Sequence, residues 1–112
     1  MDDLVKRLSE KEQSVILGGP NPSVDEFNKQ LSKIGYTFIK FTETNGETNL
    51  GVRIDGEKTD LSRAGFVNNT GVVHINGYLT LNFVSVKCIA EINLETLSGT
   101  GKLEIENTNL RL

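Results

Sequence analysis

Residues 36–54 read Tyr36-Thr37-Phe38-Ile39-Lys40-Phe41-Thr42-Glu43-Thr44-Asn45-Gly46-Glu47-Thr48-Asn49-Leu50-Gly51-Val52-Arg53-Ile54. Aromatic and β-branched residues alternate with polar ones on both sides of an Asn-Gly pair, whose two residues accept the positive φ angles of a tight hairpin turn. A two-residue turn at Asn45-Gly46 pairs Thr44 with Glu47, Phe41 with Leu50 and Ile39 with Val52, gathering the apolar side chains on one face. A period of two sustained over this length predicts antiparallel strands rather than helix.

The same reading extends towards residue 112. A second corner at Asn76-Gly77 sets Val72 against Leu81 and His74 against Leu79. Asp55-Gly56 makes a poorer hairpin, because the same count opposes Arg53 to Lys58. Beyond Tyr78 the apolar residues fall on odd positions (Leu79, Leu81, Phe83) and then on even ones (Val84, Val86, Cys88, Ala90, Ile92, Leu94). That slip predicts a bulge or sharp bend between Phe83 and Val84, as where a sheet curls. A turn at Gly99-Thr100 pairs Leu94 with Ile105 and Thr96 with Leu103. The fold class expected is α+β, mainly antiparallel β: a small β-barrel or β-sandwich of about six to eight strands with one or two N-terminal helices.

Before Tyr36 the spacing changes. Leu4, Val5, Leu8, Val15 and Ile16 form a broken helical pattern over residues 1–17, ended by Gly18-Gly19-Pro20-Asn21-Pro22, where backbone donors are lost and left-handed geometry is open. Ser23-Val24-Asp25-Glu26 is a capping-box arrangement with an acidic first turn. Val24, Phe27, Leu31 and Ile34 then recur at three and four, and Gly35 is the natural stop, so a helix is expected over 23–34. The organisation read from the chain is a leader-like N-terminal helix over 1–19, then a single β-rich domain over 20–112.

Composition narrows the function classes. The 112 residues carry 12 Lys plus Arg against 15 Asp plus Glu, a net charge of -3, with no basic patch interleaved with aromatics, which argues against nucleic acid as a partner. Cys88 is the single cysteine and cannot staple the fold within one chain. No stretch approaches the roughly 20 apolar residues of a membrane span, and Val15-Ile16-Leu17 is too short for the centre of a secretory signal peptide.

Residues 8–19, Leu8-Ser9-Glu10-Lys11-Glu12-Gln13-Ser14-Val15-Ile16-Leu17-Gly18-Gly19, resemble the double-glycine leader of bacteriocin and microcin precursors, matching it at Leu8, Ser9, Glu12, Ile16, Gly18 and Gly19. Gln13 departs from the pattern, where an apolar residue is expected. The resemblance implies a helix held in the groove of an exporter's peptidase domain by Leu8, Ser9, Glu12 and Ile16, with cleavage after Gly18-Gly19 releasing residues 20–112. The same residues also have a local reading. Ser9-Glu10-Lys11-Glu12 is a capping box, and a glycine after an apolar turn is a common helix C-cap.

Other constellations carry less. His74, the single histidine, has only Cys88 as a nominal catalytic partner, and Cys88 sits in the apolar phase of its strand. One His and one Cys do not make a zinc site. The register proposed for the last hairpin puts Glu95 opposite Glu104 with Glu106 nearby, an acidic face open to a divalent cation or, more plainly, to water. Gly99-Thr100-Gly101-Lys102 lacks the upstream glycine and following helix of a phosphate loop. Asn68-Asn69-Thr70 fits the glycosylation pattern and reads as a loop.

Two functions follow, neither enzymatic and neither needing a cofactor. One is a small bacterial protein secreted through a leader-dependent exporter and acting as a bacteriocin-like or effector binding protein. The other is a cytosolic binding module for an apolar ligand or protein partner, with the N-terminal helix integral to the fold.

Overall fold

The computed structural model describes residues 3–44 and 46–106. Among them the chain forms a six-stranded antiparallel barrel with one extra short strand and two short helices. Helix α1 (Asp3–Glu10) leads into β1 (Gln13–Leu17). Helix α2 (Val24–Lys29) continues through a π-helical turn over Gln30–Ile34 into β2 (Tyr36–Phe41) and β3 (Thr48–Ile54). The rest is β4 (Ala64–Gly65), β5 (Thr70–Leu81), β6 (Val84–Asn93) and β7 (Ser98–Ile105). The sheet runs β3-β2-β1-β7-β6-β5 and closes by pairing β5 with β3, while β4 flanks β5.

The largest departure from expectation is at the start. The pattern over residues 1–17 predicts helix, but among the described residues of this stretch only Asp3–Glu10 is helix, and Gln13–Leu17 is a strand between β2 and β7. Gln13, Val15 and Leu17 point inward while Ser14 and Ile16 point out, the alternation of a strand. Five residues are too few for their sequence to separate the two periods, and two neighbouring ladders decide the outcome. Val5 and Leu8 seal α1 onto the same core.

Helix 23–34 forms much as expected. Ser23 Oγ accepts from the Glu26 N–H at 3.1 Å, and Gly35, at φ 77°, caps the far end by donating to the Gln30 carbonyl at 2.7 Å. The π-turn rotates the last residues, however. Phe27 is buried, Leu31 only half-buried, Ile34 is 55% exposed, and Gln30 takes the inner position, where its Oε1 accepts from Thr37 Oγ1 at 2.6 Å.

The first hairpin has the expected faces and a different register. Ile39 pairs with Leu50 and Phe41 with Thr48, two residues from the predicted pairing, because the connection is a wider loop in which Gly46 and Glu47 take positive φ. Asn45 lies outside the described residues. A shift of two preserves strand parity, so Thr37, Ile39, Phe41, Leu50 and Val52 still face the core.

The other two corners are not where they were expected. Asn76-Gly77 lies inside the 12-residue strand β5, with Gly77 opposite Cys88, so Val72 pairs with Asn93 and His74 with Glu91. The turn falls at Asn82-Phe83, both at positive φ (49° and 69°), a type I′ geometry joining the Leu81–Val84 pair. The phase slip expected as a bulge or sharp bend is therefore this turn, the sharper of the two, and not a bulge. Gly99-Thr100 likewise lies within β7, and residues 94–97 make the turn, with Asn93 Oδ1 accepting from the Glu95 N–H at 2.8 Å. Gly77 and Gly99 serve close packing. A Cβ on Gly77 would strike the Arg53 carbonyl and Val52, and one on Gly99 the Glu91 carbonyl.

Phe41, Ile39, Val52, Val73, Ile75, Val86, Cys88, Ile92 and Leu103 fill the interior with Phe27 and Leu8, so the barrel is a packed core. No described helix is long and apolar enough to cross a membrane.

Candidate protein-docking site at the barrel seam

The barrel closes narrowly. β3 meets β5 through only two pairs, Arg53↔Tyr78 and Ile54↔Gly77, and Gly77 allows the approach because it has no side chain. Beyond Arg53 the two strands part and leave a groove of ≈ 530 Å³ lined by Tyr36, Gly51, Arg53, Tyr78, Leu79, Thr80, Ser85 and Glu106. Tyr36 stands edge-on to Phe38, with ring centroids 5.5 Å apart, and its hydroxyl end lies over Gly51, where a Cβ would strike it. Its polar tip and apolar ring suit an interface.

Tyr78 is held from the other side. Its Oη donates to Asp55 Oδ2 at 2.8 Å, while Asp55 Oδ1 accepts from the Glu57 and Lys58 N–H groups at 3.1 and 3.3 Å. The Tyr78 hydroxyl, followed by those backbone donors, holds the Asp55 carboxyl below its ordinary range, and Asp55 in turn raises the tyrosine. The turn after β3 is thereby latched to β5. Arg53 is exposed and makes no ion pair among the described residues. At the end of the β5–β6 wall, Phe83 is fully exposed in a left-handed conformation, and Ile105 is 40% exposed nearby on β7.

The residues singled out in the sequence fall elsewhere, save one. Leu8 is buried in α1, Ser9 Oγ donates to the Val5 carbonyl at 2.7 Å, Glu12 is exposed before β1, and Ile16 is on the outer face of β1. A helix and a strand thus divide what a leader would carry on one helix. Gly18 and Gly19 pack against Phe38, and the Gly18 N–H donates to the Phe38 carbonyl at 2.8 Å. A Cβ on Gly18 would meet the Asn49 amide. Glu95 sits in the β6–β7 turn, Glu104 faces Lys87 across the hairpin, and Glu106 lines the seam groove, so the register separates Glu95 from the other two. No group of three or more metal-ligating side chains occurs among the described residues.

His74 points outward, with Nδ1 3.4 Å from Glu91 Oε2, while Cys88 points into the core, where burial pushes its thiol up to about 12. They lie on opposite faces of the sheet. The seam residues escaped the sequence reading, although Tyr36 and Phe38 were a signal: two aromatics in the outward phase of a strand whose inward phase was already apolar.

Two further hollows flank the seam. One, of ≈ 100 Å³, lies among Asp55, Lys58, Asn76, Lys87 and Glu104, and another, of ≈ 350 Å³, lies between Gly18–Asn21 and Phe38 with Gln30.

The family model of the core binding factor beta subunit matches residues 24–111, most of the chain. No curated protein is a match. The family is one of non-enzymatic, protein-binding transcription cofactors. This finding overturns both the resemblance to an export leader and the secreted, bacteriocin-like bacterial role drawn from it, and it leaves the exporter peptidase unsupported as a partner. The helical amphipathicity and paired glycines that produced the resemblance belong to α1 and to the packing of Gly18-Gly19 on β2. With its closed antiparallel barrel and a family match over most of its length, the chain belongs to the core binding factor beta subunit family.

Proposed function

We propose that the chain is a non-catalytic binding subunit that engages a partner protein at the groove where β3 and β5 part. The observation that carries this reading is the convergence there of two tyrosines and an arginine that has no ion pair among the described residues, residue types that dominate binding energy at protein interfaces. The Asp55–Tyr78 latch fixes one wall before any partner arrives, which lowers the entropy lost on docking. Phe83 and Ile105 extend the groove with exposed apolar surface. The filled interior favours a protein over a small apolar ligand, and the opposed directions of His74 and Cys88 support a non-catalytic role.

The test is affinity purification with the wild-type chain, with Tyr36→Ala and Arg53→Ala, and with Glu95→Ala as a control away from the groove. A partner retained by wild type and Glu95→Ala should bind the groove variants about 30-fold more weakly, the effect of losing one strong interface residue. Equal binding to all four proteins, with unchanged melting, refutes the assignment.

A further inference from the structure

We infer that the element of the partner seated in this groove is an extended segment that pairs as a strand between β3 and β5, with a carboxylate side chain placed against Arg53. The inference rests on the docking role proposed above and adds the conformation and chemistry of the occupant.

The argument is one of backbone phase. The Ile54 N–H donates to the Gly35 carbonyl at 2.9 Å, so the even residues of β3 turn their peptide groups towards β2, and Gly51, Arg53 and Asp55 turn theirs towards β5. The Asp55 N–H donates to the Asn76 carbonyl at 2.8 Å, which turns Asn76, Tyr78 and Thr80 towards β3. The ladder runs through Arg53↔Tyr78 and would next join Gly51 to Thr80, but the pairing stops. The N–H and C=O groups of Gly51 and Thr80 therefore face each other across the groove that both residues line. Among the described residues no hydrogen bond joins them.

Two facing strand edges with unused donors and acceptors are a template for a third strand. The volume agrees. A strand residue takes up roughly 3.3 Å along the chain, 4.8 Å across the sheet and 10 Å through it, on the order of 160 Å³. A groove of ≈ 530 Å³ holds about three such residues. An α-helix, about 10 Å across with its backbone groups already paired, would leave Gly51 and Thr80 unsatisfied. Arg53, exposed and without an ion pair among the described residues, supplies the charge complement for an acidic side chain.

The test uses the full chain and short linear peptides selected against it by phage display. A binding peptide is then remade with each backbone nitrogen methylated in turn, and amide exchange of the isotope-labelled protein is followed by NMR. The strand predicts an alternating pattern, with affinity falling about fivefold at every second position and little between, since each methyl removes one hydrogen bond. It also predicts slowed exchange at Gly51 and Thr80, and an acidic residue in the peptide whose exchange for the amide matters in wild type and not in Arg53→Ala. Thr80→Pro, which removes an N–H not used by β6, should weaken binding in the same way. Because the methylation arm leaves the protein untouched, the test stands even where Thr80→Pro fails to fold.

Peptides that shift the groove signals but tolerate methylation evenly overturn the strand while leaving the docking site standing. A selection that yields no linear binder also counts against the strand. Peptides that bind elsewhere on the barrel, together with a partner indifferent to Tyr36→Ala and Arg53→Ala, overturn the docking site itself.

Discussion

Deleting residues 1–19 tests how the barrel is built. The deletion removes α1 and β1, and with them Val5, Leu8, Val15 and Leu17, none more than 3% exposed. At about 1.5–3 kcal/mol for each fully buried aliphatic side chain, the loss is on the order of 6–12 kcal/mol, comparable to the whole stability of a domain this size. It also strips β2 and β7 of their shared neighbour, leaving two open edges where β1 had paired with both. The fragment 20–112 should show collapsed amide dispersion by NMR, no cooperative melt by circular dichroism, and a tendency to associate. A milder form of the same test is Leu8→Ala, expected to cost about 2–5 kcal/mol in urea unfolding. A fragment 20–112 with a dispersed spectrum and a wild-type melting temperature would refute the reasoning, because the first strand would then be a dispensable attachment.

Phe83→Gly should stabilise the fold by about 1 kcal/mol, since glycine accepts the left-handed conformation that phenylalanine holds under strain, yet weaken partner binding; calorimetry read beside affinity separates the two effects. Gly77→Val should lower stability by about 1–3 kcal/mol or more in urea unfolding, because its side chain forces Arg53 and Val52 off the seam. Tyr78→Phe should let the Asp55 carboxyl titrate closer to its ordinary 3.8, followed by NMR of the carboxyl carbon; wild-type stability from this hydrogen bond is present at neutral pH and lost as pH falls through the lowered value. For Cys88 the sign is opposite. Its folded thiol is raised to about 12, so the unfolded chain releases the proton first, and this group lowers stability above pH ~9 by about 1.4 kcal/mol per unit, a contribution that Cys88→Ala should remove while that of Tyr78 remains.

Side-chain parity was legible in β2, β3 and β6 but not in the first half of β5, where the expected Asn76-Gly77 corner put Val72 and His74 on the inner face that Val73 and Ile75 in fact occupy; the corners themselves were not legible. Thr37, Ile39 and Phe41 face inward whichever even register the hairpin adopts, so the core could be read before the pairing was known. Asn-Gly and Gly-Thr looked like turns because glycine permits positive φ, but Gly77 and Gly99 are needed for backbones that approach too closely for a Cβ. The actual β5–β6 turn uses Asn82 and Phe83, and nothing local marks a phenylalanine for that geometry. Residues 13–17 take their strand form from neighbours far along the chain. The docking groove was hidden for the same reason: it exists only where β3 and β5 separate, and that follows from barrel closure and not from any short motif.

The adjacency of β1 to β7 has a consequence for synthesis. The strand made first waits beside an empty place until Ile105 has left the ribosome, while the β2–β3 and β5–β6 hairpins can form as they emerge. Completion of this sheet therefore waits on β7, and until that strand arrives the inner sides of Val15 and Leu17 depend on holding chaperones or on early docking of α1 for shelter from other nascent chains.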